Sequence, residues 1–203
     1  MTKRVLIIED DEVLLSSIVQ TLDLEGLANH RGSLLGAMPG GQPGQKAFET
    51  RLAQALLAAD PDKPIVVEAE SNKIGERLIP PSLWALMKEA PRIEVTASLD
   101  RRARYLARAY DDILSDGPGL KQKLAPLVKF RGHAVVDGWF DQIEKGDRLA
   151  LTTALMRDHY DPAYAKSRET IGASTRETVA LDGLEEADLE RGAQAIAEAV
   201  IRL

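Results

Sequence analysis

Residues 64–71 read Pro64-Ile65-Val66-Val67-Glu68-Ala69-Glu70-Ser71. Three β-branched residues in succession, opened by proline and closed by polar groups, fit a short strand buried on both faces, the kind a parallel sheet uses. Val5-Leu6-Ile7-Ile8 repeats the pattern upstream and Ile93–Ala97 repeats it downstream. Helical periodicity separates them. Lys46–Ala59 puts Phe48, Leu52, Ala55 and Leu56 on one face, and Pro81–Ala90 carries proline in its first turn. Strands alternating with helices predict an α/β fold, its three strands side by side in a parallel sheet with flanking helices. Ligands of such sheets bind beyond the carboxyl ends of the strands. The polar residues at those ends are Glu9, Asp10 and Asp11, then Glu68, Glu70 and Ser71, then Ser98.

Working outward, Asp10 or Asp11 is placed to cap a helix over Glu12–Gln20, and Leu22–Leu27 follows with almost no connector. Pro39–Gln45 holds three glycines and two prolines and is a loop. Leu99–Leu114 is a helix dense in arginine. The rest is mostly helical: Leu120–Val128, Trp139–Lys145, Leu149–Asp158 and a closing helix over Leu184–Leu203, with a strand expected at Thr178–Leu181. Trp84 and Trp139 are read as core and His133 as structural. The expected organisation is a short segment 1–22, an α/β core over 23–115 and a mostly helical region over 116–203.

The chain has 203 residues and no cysteine, which excludes disulfides, thiolate metal sites and a thiol nucleophile. Its net charge of −6 means that a polyanion would have to be held by a local basic patch, and arginines do cluster at 101, 102, 104 and 108. No stretch approaches the roughly 20 apolar residues of a membrane span, and the run Val5–Ile8 is too short for a signal-peptide core, so a cytoplasmic protein with no membrane attachment is expected.

Four segments, taken together, resemble one family. They are Asp23-Leu24-Glu25-Gly26-Leu27-Ala28-Asn29-His30-Arg31-Gly32-Ser33, then Gln42-Pro43-Gly44-Gln45-Lys46-Ala47-Phe48-Glu49. Next come Val66-Val67-Glu68-Ala69-Glu70-Ser71-Asn72-Lys73-Ile74-Gly75 with Ile79-Pro80, and finally His159-Tyr160-Asp161-Pro162-Ala163-Tyr164. In this order, over about 22–168, they are similar to the P-loop-containing domain of tRNA 2-selenouridine synthases. The resemblance implies a P-loop-NTPase-like core and a transferase of bacterial tRNA modification. Members of the family replace the sulfur of wobble 2-thiouridine with selenium from selenophosphate, through an S-geranyl intermediate made from geranyl diphosphate. Two departures stand out. No G-x-x-x-x-G-K-[ST] loop occurs anywhere in the chain, and the family's cysteine-bearing rhodanese-like domain has no counterpart. The expectation is therefore an incomplete form, weak or inactive by itself and without nucleoside triphosphatase activity. Lys3-Arg4-Val5-Leu6-Ile7-Ile8-Glu9-Asp10-Asp11-Glu12 resembles instead the opening of a response-regulator receiver domain, although no phosphoacceptor aspartate or later lysine can be placed. A signalling protein, or a non-catalytic tRNA-binding remnant, are the alternatives.

The candidate ligand and phosphate residues are Asp23, Glu25, His30, Arg31, Ser33, Glu68, Glu70 and Ser71. Asp23 and Glu25 fit a metal ion or a diphosphate-bound magnesium, or else a solvated strand end, and Glu68 joins Asp23 as a metal candidate. Arg31 presents a donor fork for phosphate, beside His30 and the Gly32-Ser33 turn. Acids that follow a buried strand are where P-loop proteins place a metal-linked or water-orienting group, against which stands an ion pair with Lys73 or Arg77. Gly40-Gly41-Gln42-Pro43-Gly44 is either a phosphate approach or a plain turn, and His159 with Tyr160 and Tyr164 either a base-stacking or prenyl site or ordinary aromatic packing. On the arginine helix, about 100° per residue aligns Arg101, Arg104 and Arg108 for tRNA phosphates and leaves Arg102 for an internal ion pair. The implied partners are tRNA and a small diphosphate or selenophosphate ligand.

Overall fold

The computed structural model describes residues 5–7, 20–68, 71–165 and 175–203. The chain divides into two units: residues 1–96, 171–181 and 186–203 form the first, and 97–170 with 182–185 the second. The boundaries expected from the sequence lay at 22 and 115. Here the closing strand and helix belong to the same unit as the first strands.

In the first unit, β3 (Ile65–Val67) lies between β1 (Val5–Ile7) and β2 (Gln20–Leu22) and is parallel to both. All three β3 residues are buried, and they alternate. Ile65 and Val67 join a core of Leu22, Leu24, Ala28, Phe48, Leu52, Ile74, Ile79 and Met87, whereas Val66 joins Ile93, Val179, Ile196, Ala197, Ala199 and Val200. A side-chain period of two with both faces covered is why the stretch reads as an unbroken apolar run.

Parallel pairing of β1 with β3 is as expected. The third strand departs from the expectation: β6 (Arg92–Thr96) runs next to β1 but hydrogen-bonds in parallel to β7 (Thr175–Ala180). The other side of β3 is taken by β2, whose Gln20-Thr21-Leu22 has too little apolar content to register as a strand. Gln20, expected at the end of a helix over Glu12–Gln20, is instead in a strand, and the other residues of that helix lie outside the described ones. Its backbone N–H donates to Pro64 O, and its side-chain amide exchanges two hydrogen bonds with the backbone of Asp60, which anchors the strand edge.

Helix α1 (Leu24–Ala28) follows β2 directly, and α2 (Gln45–Ala58) buries Phe48 and Leu52 as its periodicity requires. A hairpin of β4 (Lys73–Ile74) and β5 (Arg77–Leu78) leads to α3 (Pro81–Glu89), whose proline sits in the first turn. Trp84 packs against the first core from a partly buried position. The last helix, α10 (Glu186–Arg202), lays Ile196, Ala197, Ala199 and Val200 on the second core.

The second unit is helical. The expected arginine helix is broken at Tyr110, with φ −107° and ψ 22°, into α4 (Leu99–Ala109) and α5 (Asp111–Leu114). Then come α6 (Gly117–Leu124), a 3₁₀ turn (Ala125–Leu127), α7 (Val128–Arg131), α8 (His133–Lys145) and α9 (Arg148–Leu155), which runs into a π-helical turn (Met156–Tyr160). Trp139 is fully buried, as expected, whereas His133 is exposed at the start of α8 rather than structural.

Candidate functional site

Glu68 leaves the carboxyl end of β3 and reaches the start of α1. Its Oε2 accepts the Leu24 N–H at 2.9 Å and its Oε1 the Glu25 N–H at 3.4 Å, so one carboxyl group satisfies two N–H groups that the helix cannot pair itself. Asp23 is the N-cap, its Oδ1 accepting from Gly26 N at 2.6 Å. A Cβ on Gly26 would lie 1.9 Å from Asp23 Oδ2, so a larger residue there would displace the capping carboxylate. The Asp23 carboxyl also hydrogen-bonds Glu68. Burial, and then this facing acid, push Glu68 up to about 8, against the Leu24 N–H that favours its charged form. At neutral pH the Glu68 carboxyl therefore holds a proton. A carboxyl group shifted toward neutrality beside a second carboxyl, at the end of a buried strand, can take or give a proton there.

The other candidates are distributed around this pair. Glu25 contributes its backbone N–H to Glu68 and its carbonyl to His30 N. His30 lies past the other end of α1, and its backbone bridges to Ala37. Its Nδ1 is shut off from water with no hydrogen-bond partner, and burial, opposed by Glu76, holds the imidazole below the usual histidine range. Arg31 and Ser33 shape a tight turn: Arg31 N donates to Gly36 O, Ser33 N to Arg31 O, and Gly36 N to Ser33 O. Ser71 closes a turn, its Oγ donating to Lys73 O and accepting from Lys73 N. Glu70 lies outside the described residues. Of the residues expected to converge, Asp23 and Glu68 meet; Lys73 pairs with Glu76 rather than with Glu68.

Sequence reasoning missed the amides. Gln42 donates from Nε2 to Ala28 O and Ile74 O and accepts at Oε1 from Glu76 N, tying the end of α1 to the hairpin. Gln45 exchanges two hydrogen bonds with the backbone of Leu78. Asn29, in the left-handed region at φ 49°, donates to Pro39 O and Gly41 O. The Gln42-Pro43-Gly44-Gln45 stretch is thus a clamp on backbone. The signal was available: an amide beside proline and glycine is the side chain best matched to a loop's own N–H and C=O groups.

In the second unit, Arg102 makes the ion pair expected of it, bidentate to Asp161 at 2.8 and 2.9 Å, with its Nε donating to Ala97 O. Arg104 pairs with Asp100 and Arg108 with Glu185, all exposed, while Arg101 makes no ion pair among the described residues. Ordinary packing describes His159: its ring meets Trp139 and Tyr160 edge-on, and its Nδ1 accepts from Arg131 Nε at 3.2 Å. Burial, and then Arg131, hold its pKa down.

Magnesium keeps several waters and takes one or two protein carboxylates besides phosphate oxygens. Among the described residues no third acid or histidine joins Asp23 and Glu68. Asp23 and Glu68 supply the two carboxyl groups here, and Glu68 is already engaged by the Leu24 and Glu25 N–H groups.

Comparison with known proteins places this site inside a recognised domain. A family model described as "tRNA 2-selenouridine synthase AAA domain" matches residues 12–125, which include Asp23, His30, Gln42 and Glu68. A tRNA 2-selenouridine synthase of Hahella chejuensis is 30% identical over 180 residues, 75% of this chain and 48% of that protein. One of Chromohalobacter salexigens is 43% identical over 176 residues, 74% of this chain and 48% of that protein. One of Marinobacter nauticus is 38% identical over 179 residues, 74% and 49% respectively. The chain spans about half the length of these relatives. No solved structure matches it. The chain belongs to the tRNA 2-selenouridine synthase family.

Proposed function

We propose that the chain serves in the conversion of a 2-thiouridine in tRNA to 2-selenouridine, as a transferase-type enzyme or as part of one. The observation that carries this reading is the family match over 12–125, centred on the segments that build the Asp23–Glu68 pair. A P-loop-like core is part of the proposal, and so are geranyl diphosphate and selenophosphate as small substrates. In this reading the protonated Glu68 carboxyl and Asp23 manage a proton beside the phosphate-bearing group, and Arg31 contributes its charge to that phosphate. Magnesium comes in with that substrate, and Asp23 and Glu68 are the carboxyl groups offered to it. The working compartment is the cytoplasm, where tRNA is found. No helix of the described residues is long and apolar enough to cross a membrane.

Thermal-shift measurements with tRNA, geranyl diphosphate and an acyl-phosphate donor test the reading. Stabilisation by the first two, lost for geranyl diphosphate in Arg31→Ala, is expected. Stabilisation by the acyl-phosphate donor alone would favour the signalling alternative. Because the chain has no glycine-lysine phosphate loop, a nucleoside triphosphatase assay should stay at background.

A further inference from the structure

The arginines of α4 are the densest cations in the chain, yet Arg102, Arg104 and Arg108 each face a carboxylate. A different run is arranged the other way. From Gly117 to Val136 there is no acid at all, against Lys121, Lys123, Lys129 and Arg131, with Asp116 and Asp137 flanking it. Over α6, the 3₁₀ turn and α7, Leu120, Leu124 and Leu127 are buried, which fixes the inner side. Two of the four cations are engaged: Lys121 pairs with Glu144 and lies 5.5 Å from the Phe140 ring centroid, and Arg131 donates to His159. Lys123 and Lys129 are exposed and make no ion pair among the described residues. Between them in chemistry stands Phe130, 76% exposed although it is a large apolar side chain.

We propose that the outer side of this run is a docking surface for an unpaired RNA strand, with Phe130 stacked on a base and Lys123 and Lys129 on flanking phosphates. The proposal rests on the reading that the chain acts on tRNA and adds where the strand lies. The protein as a whole is acidic, so attraction to a polyanion has to be local, and here the local positive charge is not cancelled. An exposed aromatic ring accepts the face of any base, which is how single strands are held without sequence reading. A membrane surface would need a contiguous apolar face. Phe130 is the one exposed large hydrophobic residue of this run, so a bilayer fits less well.

The test is a salt titration of affinity for tRNA and for oligouridylate, with the full chain. Lys123→Ala/Lys129→Ala should lower the magnitude of the log–log salt slope by about 1.4, about 0.7 for each single-strand phosphate contact. Phe130→Ala should keep the slope and weaken binding about tenfold or more. Both changes are on exposed positions, so circular dichroism and melting should match wild type. If both variants bind tRNA like wild type, the surface is wrong while the tRNA reading stands, and Arg101→Ala then shows whether α4 carries the contact. If wild type binds neither RNA at low salt, both the surface and the tRNA reading fall. Vesicles of phosphatidylcholine and phosphatidylserine form the last arm. Binding to them that depends on Phe130, with RNA binding unchanged in Phe130→Ala, overturns the proposal in favour of a lipid surface.

Discussion

The polar side chains around α1 and those along α4 direct their hydrogen bonds to different targets. Around α1, Glu68, Asn29, Gln42 and Gln45 hold backbone groups of Leu24, Glu25, Pro39, Gly41, Ala28, Ile74, Glu76 and Leu78. Along α4, Arg102, Arg104 and Arg108 hold carboxylates of other side chains. A part-buried backbone group that loses its partner costs about 1–3 kcal/mol, whereas a surface ion pair contributes about 0–1 kcal/mol. Arg104 and Arg108, exposed and prominent in the sequence, therefore matter less for the fold than Glu68 and Gln42, whose bonds to Leu24, Ala28 and Ile74 are part-buried. The uncharged amides, which are easy to pass over, hold the segments that frame the carboxyl pair.

The largest effect is expected at the crowded glycine of the hairpin. Gly75 has φ +56°, and a Cβ there would meet Gln42 Oε1 at 2.4 Å and His30 Cδ2 at 2.7 Å. Gly75→Val should destabilise the chain by about 3 kcal/mol, read as a drop in the urea midpoint. Next comes Gln42→Ala, which strips partners from Ala28 O, Ile74 O and Glu76 N and should cost about 2 kcal/mol. Arg102→Ala loses a half-exposed bidentate pair and should cost about 1 kcal/mol. Arg104→Ala removes only an exposed pair one turn away and should leave the urea midpoint where it was. An Arg104→Ala effect as large as that of Gln42→Ala would erase the distinction between the two regions.

Parts of this were legible in the sequence for physical reasons. Ile65-Val66-Val67 is buried on both faces, so its composition alone marks a parallel strand, and Phe48 and Leu52 of α2 recur at helical spacing. Arg102 was separable from its neighbours because helix geometry turns it away from Arg101, Arg104 and Arg108. Gln20–Leu22 was not legible: a strand held by its neighbour's backbone and a clamp to Asp60 needs no apolar pattern of its own. The pairing of β6 with β7 joins residues about 85 apart in the chain, and local periodicity carries no information on such partners. Within the site, Asp23 and Glu68 could be nominated as acids at strand ends. That they face each other depends on α1 starting immediately after β2, a matter of tertiary geometry.

The motif segments bring Asp23 and a partly buried Glu68 together, with Glu68 holding a proton at neutral pH, and the pH dependence of stability is the direct test. Glu68 moves from an ordinary 4.5 to about 8 in the folded state. Between those values the folded chain keeps a proton that the unfolded chain has released. The stability linked to Glu68 is thus fully present below pH 4.5 and is lost as pH rises through 8, by an amount on the order of a few kcal/mol. Glu68→Gln carries no such proton. His30 and His159, both held down by burial, titrate in both proteins and cancel in the difference. Urea unfolding of wild type and Glu68→Gln should give similar stability near pH 5 and a gap in favour of the variant that widens to pH 9. Parallel curves over that range would mean that Glu68 is ionised in the folded protein and that the pair holds no proton.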